Sequence, residues 1–258
     1  MKNKLSKTHL ACSLLLYTIL VISIFISGCK AKYGAGNPFG DKIYFAKNPD
    51  KSGSKTGFIG GNISYTTDSA SYNEKESNYN GSIYFGSSYN MKVIQLSIGA
   101  FAYNGKYKVK KITEHEGKKS YYGAGISSEI ATLFLNTGNM YSYSCLKGTL
   151  TYEDGPFYRF RKNAENDSLI TNLNPSKYSL NLSIGDDFLF QFGELQTGLY
   201  TSVGLNYNIP LNEKYLLLTL CGHITYQNIS FYSQLTYSQI SVGTTLWFGI
   251  SRQFGGGG

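Results

Sequence analysis

Residues 240–254 read ISVGTTLWFGISRQF. Val242, Thr244, Leu246, Phe248, Ile250 and Phe254 fall on one side of a period-two pattern. Ser241, Gly243, Thr245, Trp247, Gly249 and Ser251 fall on the other. Successive side chains of a β-strand point to opposite faces, so this alternation predicts a strand with one apolar face and one mostly small or polar face. The run is also long: strands of globular proteins are usually about 5–6 residues. Arg252 interrupts the apolar face near its end, and Gly255–Gly258 follow as a glycine tail.

The same pattern recurs upstream. Thr197–Ile209 sets Leu199, Thr201, Val203, Leu205, Tyr207 and Ile209 against Gly198, Tyr200, Ser202, Gly204, Asn206 and Asn208. Gly57–Thr66, Asn80–Tyr89, Val93–Tyr103, Tyr121–Leu135, Met140–Glu153, Lys177–Gly185 and Tyr215–Gln227 read as further strands. Phe188–Phe192 is a short one, if Asp186-Asp187 is a turn. The connections Tyr89–Lys92, Asn136–Asn139 and Pro210–Lys214 are short; Thr67–Tyr79, Asn104–Ser120, Asp154–Pro175 and Gln227–Gln239 are long. A turn at Asp186-Asp187 gives ten strands and puts every short turn on one side; eight strands is the alternative count.

Composition agrees. The chain has 23 Tyr, 15 Phe and 29 Gly beside 5 Pro and 1 Trp, which suits strands and tight turns better than helices. Mean hydropathy is −0.22, and no apolar run after residue 28 reaches helix-spanning length. Residues 1–28 hold three lysines and no acid, so 21 basic and 16 acidic residues remain beyond them. That modest, interspersed excess does not point to nucleic acid.

Two architectures satisfy such alternation: a membrane barrel with its apolar face outside, and a soluble barrel or sandwich with its apolar face inside. Ten residues tilted at roughly 45° rise about 24 Å, near the height of a membrane barrel's apolar band. The last strand resembles the C-terminal strand of bacterial outer-membrane β-barrels, which alternates and ends in an aromatic residue. Trp247, Phe248, Ile250 and Phe254 carry the likeness. It implies an all-β, antiparallel, up-and-down transmembrane β-barrel over residues 57–254, read by the outer-membrane assembly machinery. A barrel of eight to ten strands is largely filled by its own side chains, so no generous pore is expected. The alternative is a lipid-tethered soluble β-barrel or sandwich holding an apolar ligand.

The N-terminus gives an address. Lys2, Lys4 and Lys7 precede an apolar run, Leu10–Ile26, and then small residues: the layout of a signal peptide over residues 1–28. Ile26-Ser27-Gly28-Cys29 resembles the lipobox of bacterial lipoproteins. The resemblance implies cleavage between Gly28 and Cys29 and acylation of Cys29, whose partner is then membrane lipid. Lys30 stands where some lineages carry an inner-membrane retention Asp, which favours the outer membrane. Residues 29–56 read as a flexible tether, with a short strand at Lys42–Phe45.

Other motifs carry less. Glu114-His115-Glu116 lacks metal-ligand spacing, His223 sits alone in a strand, and Asp154, Glu165 and Asp167 share a long loop without a nucleophile motif. No enzyme activity, cofactor or metal is expected. Cys145 and Cys221 fall on non-neighbouring strands and read as separate thiols. Lys106, Lys108, Lys110, Lys111, Lys118 and Lys119 make a basic stretch suited to a polyanion or an envelope protein, or simply to solvent. Asp68-Ser69-Ala70 and Asp167-Ser168-Leu169 resemble an O-glycosylation motif of some Gram-negative lineages. The expected role is structural or surface-recognising, with limited transport.

Overall fold

A computed structural model describes residues 43–47, 49, 53–68, 76–109, 117–164, 176–209, 213–238 and 243–255. Ten strands follow in order: β1 (Lys55–Asp68), β2 (Glu76–Asn90), β3 (Ile94–Val109), β4 (Gly117–Asn136), β5 (Met140–Asp154), β6 (Tyr178–Phe192), β7 (Leu195–Ile209), β8 (Glu213–Tyr226), β9 (Ile229–Ser238) and β10 (Gly243–Phe254). One helix, α1 (Pro156–Ala164), lies between β5 and β6. Each strand pairs antiparallel with its sequence neighbours, and β10 closes on β1 from Gly57↔Phe254 to Asp68↔Gly243. Closure leaves no sheet edge without partners.

The apolar face is outside. Phe248, Ile250 and Phe254 are 52%, 48% and 55% exposed, whereas Trp247 between them is 2% exposed. Ile59, Ile63, Ile83, Leu182, Ile224 and Phe231 continue the exposed apolar surface around the cylinder. Inward positions hold Ser, Thr, Asn, Gln and Tyr, such as Asn62, Ser82, Gln95, Thr149, Asn206 and Thr245. Apolar side chains outside and mostly polar or aromatic ones inside are the reverse of the distribution expected of a soluble barrel. Cys145 and Cys221 are both buried and unbonded to each other, as expected.

Ten strands is the observed number, but two expectations erred in compensating ways. Asp186-Asp187 is not a turn: β6 runs through it, because Asp186 faces out to Ser144 Oγ (2.8 Å) and Asp187 faces in to His223 Nε2 (2.9 Å). The turn comes at Gly193-Glu194, where Gly193 adopts φ 61°. Conversely, Gln227–Gln239 is not a long loop. Gln227 and Asn228 form a tight turn into β9, whose Phe231 and Leu235 face out while Tyr232, Gln234 and Thr236 face in. Pro210–Lys214 then lies at the long-loop end of the barrel, with β8 beginning at Glu213. The short-turn end carries 91–93, 137–139, 193–194 and 227–228 together with the start of β1 and Phe254.

Three further stretches differ from expectation. Most of 104–120 is strand, since β3 extends to Val109 and β4 starts at Gly117. Part of 154–175 is α1, with Pro156 at a position that tolerates a missing N–H and Phe157 and Phe160 one turn apart on its buried side. The described part of Lys42–Phe45 forms no strand, and the tether reading fails for Ile43–Lys47, which are buried.

Glycines make room for the inward aromatic rings. Tyr84 lies against Gly60, Phe58 against Gly86, Tyr103 against Gly123, Tyr121 against Gly105 and Tyr232 against Gly249. A Cβ on Gly123 would sit 2.1 Å from the Tyr152 carbonyl oxygen and 2.4 Å from the Tyr103 ring. Tyr103 Oη donates to that same carbonyl at 3.0 Å. Gly123→Val should therefore destabilise the barrel by about 1–3 kcal/mol. Gly81→Ala, whose Cβ meets nothing closer than 4.0 Å, should leave it unchanged. Urea-unfolding midpoints of the detergent-solubilised variants check the difference.

Candidate functional site

Inside the barrel, the inward charges decide how the lumen is filled. Glu129 on β4 and Lys147 on β5 sit directly opposite in register, and both are buried. A buried charge without partners is costly, so each needs compensation from something other than water. The segment Ile43–Lys47 supplies it. Lys47 Nζ pairs with Glu129 Oε1 and donates to Phe45 O at 2.8 Å. Lys147 Nζ donates to Ile43 O at 2.7 Å and lies 5.4 Å above the Phe45 ring. Gln95 Nε2 on β3 donates to Ala46 O at 3.0 Å.

The segment reaches the opposite wall as well. The Tyr44 ring lies 4.6 Å from the His223 ring on β8 and 5.6 Å from Tyr232 on β9. Phe45 meets Phe58 on β1 edge-on at 5.5 Å. Ile43 and Lys47 are each 1% exposed. The segment is thus a plug that touches strands all round the lumen. A void beside it, lined by Tyr44, Ala46, Phe58 and Ser88, has a volume near 10 Å³, which is at the lower limit for one water.

At the long-loop end α1 packs against the inner side of β3, β4 and β5. Phe157 and Phe160 pack with Tyr107 and Tyr121, the Tyr107–Phe157 rings stacking at 4.3 Å. Arg161 is fully buried and pairs with Glu153 at the end of β5. Beyond the apolar belt, Lys177 Nζ binds Asp154 Oδ2 at 2.7 Å. That hydrogen bond and the Gly155 N–H hold the Asp154 carboxyl down at about 2.

Asp187 and His223, neither of which the sequence connects, meet at 2.9 Å within the lumen. Asp187 Oδ2, His223 Nδ1 and Tyr44 Oη have no hydrogen-bond partner among the described residues. An acid, an imidazole and a phenol thus stand side by side in the lumen. The contacts among them are the Asp187–His223 hydrogen bond and the packing of the Tyr44 ring on the imidazole at 4.6 Å. No group of three metal-binding side chains exists among the described residues. Asp186 sits on the outward face instead, in a row with Thr132, Ser144 and Thr201 across four strands. Gly28, Cys29, Glu114-His115-Glu116, Glu165, Asp167, Ser69 and Ser168 lie outside the described residues.

Of the C-terminal signature, Trp247 faces the lumen and Phe248, Ile250 and Phe254 face out. The Phe254 ring covers Gly57 of β1, where an added Cβ would come within 2.4 Å of it. The aromatic end of the chain thereby packs over the seam between first and last strands. Lys47, Glu129, Lys147 and Arg161 are the residues that sequence reading missed. The available signal was a charge at an inward position of an alternating strand: Glu129 on β4, and Lys147 and Glu153 on β5.

Replacing Glu129 by Gln strands the buried Lys47 ammonium and should cost about 3–5 kcal/mol. The double change Lys47→Met with Glu129→Leu should recover most of that loss. Urea midpoints of the single and double variants measure the recovery directly.

The chain is similar in fold to solved outer-membrane proteins. The β domain of the Bordetella autotransporter BrkA is 10% identical with a TM-score of 0.45, over 78% of this chain and 100% of that one. An outer membrane channel from Pseudomonas putida F1 is 10% identical with a TM-score of 0.43, over 81% and 100%. The translocator domain of the autotransporter NalP from Neisseria meningitidis is 10% identical with a TM-score of 0.42, over 78% and 88%. No protein-family model and no curated protein matches the sequence.

Proposed function

We propose that this chain is an outer-membrane β-barrel lipoprotein, anchored through acylated Cys29, whose barrel is a plugged scaffold with a structural or surface-recognition role. The observation that carries the reading is the apolar outer belt around a polar lumen filled by the chain itself. A bilayer satisfies the first, since only a closed barrel or helices can cross it with every backbone group paired. The plug argues against free diffusion of solutes. Residues 30–42 can span at most roughly 45 Å when extended, enough to lead from a lipid anchor at the leaflet to the plug. The short-turn end, where β1 begins and β10 ends, then faces the periplasm, and the longer connections and α1 face outward. Recognition of an envelope protein or polyanion falls to that outer end, and the proposed role involves no catalysis.

Tyr65, Tyr79, Tyr122 and Tyr178 toward the loop end, and Tyr89, Phe192, Tyr226 and Phe254 toward the turn end, are all exposed. They support the reading as aromatic girdles at two interfaces. Among the described residues no helix is long and apolar enough to cross a membrane, so the crossing falls to the strands.

The membrane reading is tested on denaturing gels with and without boiling after detergent extraction. The unboiled protein should migrate differently from the boiled one, and Cys29→Ser should lose incorporation of radiolabelled fatty acid yet still require detergent. A Cys29→Ser chain soluble without detergent would refute it. The scaffold reading is tested by electrical recording in planar bilayers. The intact protein should be silent, and deletion of residues 43–47 should yield steady ion conductance; open channels from the intact protein would overturn it.

A further inference from the structure

We infer that the outward face spanning β10, β1, β2, β3 and β4, at its loop end, is a binding site for one acyl lipid with an anionic phosphate headgroup. The inference rests on the membrane reading above. A groove of about 910 Å³ lies there, and its composition changes row by row along the barrel. The row nearest the belt is Phe248, Ile63, Gly81, Asn104 and Tyr122, joined in register across the five strands. The next is Leu246, Tyr65, Tyr79, Lys106 and Ser120. The outermost is Ser77, Lys108 and Lys118. Apolar contact thus gives way to cationic contact over three rows, which is the polarity profile of a phospholipid.

The lysines carry the charge argument. Lys108 and Lys118 are directly opposite on neighbouring strands, a like-charge pairing that is destabilising alone. Lys106 stands two residues from Lys108 on the same face. Among the described residues no acid pairs with any of the three. An anion held between them removes the repulsion, and three ammonium donors suit the oxygens of a phosphate. The floor suits acyl chains: Gly81 at its centre is flanked by larger Ile63 and Tyr79, and Ala102 and Ala124 continue a low outward surface toward the middle of the belt. A soluble polyanion would use the lysines but not this apolar floor, so the observations favour a lipid of the surrounding leaflet.

The experiment is native mass spectrometry of the full chain in detergent, titrated with phosphatidylglycerol or with phosphatidylcholine of the same acyl chains. The wild type should bind one phosphatidylglycerol about tenfold more tightly than phosphatidylcholine, and inorganic phosphate should not displace it. Lys106→Gln/Lys108→Gln/Lys118→Gln should abolish the preference. Gly81→Leu, which fills the floor without changing charge and has open space around its Cβ, should weaken binding of both lipids. Equal binding of the two lipids by the wild type, a preserved preference in the triple variant, or displacement by inorganic phosphate would each overturn the site. The gel shift on boiling, read on the same samples, reports separately on whether the membrane barrel itself is intact.

Discussion

A closed barrel solves the hydrogen-bonding of its backbone and thereby creates a second demand. Its inward side chains are turned away from the outer surface, and most of them are buried. Much of that demand is met here in two ways. Neutral groups pair across strands, as in Ser82 Oγ donating to Asn62 Oδ1 at 2.6 Å and Asn62 Nδ2 donating to Tyr232 Oη at 3.0 Å. Charged groups are met by additional chain: Lys47 for Glu129, backbone carbonyls for Lys147, and Arg161 of α1 for Glu153. The plug is therefore a consequence of where the barrel placed its charges. An open water-filled lumen would not require it.

Those same constraints explain which parts of the architecture can be read from the chain. Alternation in β3, β7 and β10 is visible because the inward and outward faces see opposite solvents, and long strands repeat the contrast many times. Orientation is not visible in alternation. It becomes physical only when closure puts Trp247 inside and Phe248 outside. Asp186-Asp187 imitates a turn because two adjacent acids usually sit in solvent; here one has a serine on the neighbouring strand and the other a histidine two strands away, partners remote in sequence. The β8–β9 turn is hidden for the converse reason. Gln227 takes a positive φ of 53°, a conformation that sequence reading assigns to glycine or asparagine. The Asp187–His223 pair and the Lys47–Glu129 pair are products of the closed topology, so neither has a local signature.

The outer and inner surfaces use glycine and aromatic residues for different ends. Inside, a ring lies flat over a neighbouring glycine, as Tyr103 does on Gly123, and its hydroxyl reaches a backbone carbonyl. The ring adds volume to the lumen while its polar tip stays bonded, so a tyrosine-rich interior can be dense without being apolar. Outside, Phe254 covers Gly57 at the seam, and the exposed tyrosines collect near the two ends of the strands. On both faces a ring thus occupies the space that a glycine on the neighbouring strand leaves open.

The plug also bears on how the cylinder closes. Closure pairs β1 with β10, strands at opposite ends of the described chain, and long-range pairing of this kind carries a large loop-closure cost. Ile43–Lys47 contacts β3, β4 and β5 on one side and β8 and β9 on the other. Its exit is fixed at the turn end, where Gly53 N donates to Asn90 O at 2.7 Å and Asn90 N donates to Ser54 O at 3.0 Å. A segment bonded to both halves of the sheet ties them together across the lumen in addition to the β1–β10 seam. The residues that fill the lumen therefore also join distant parts of the wall, and Glu129 takes part through the plug lysine it binds.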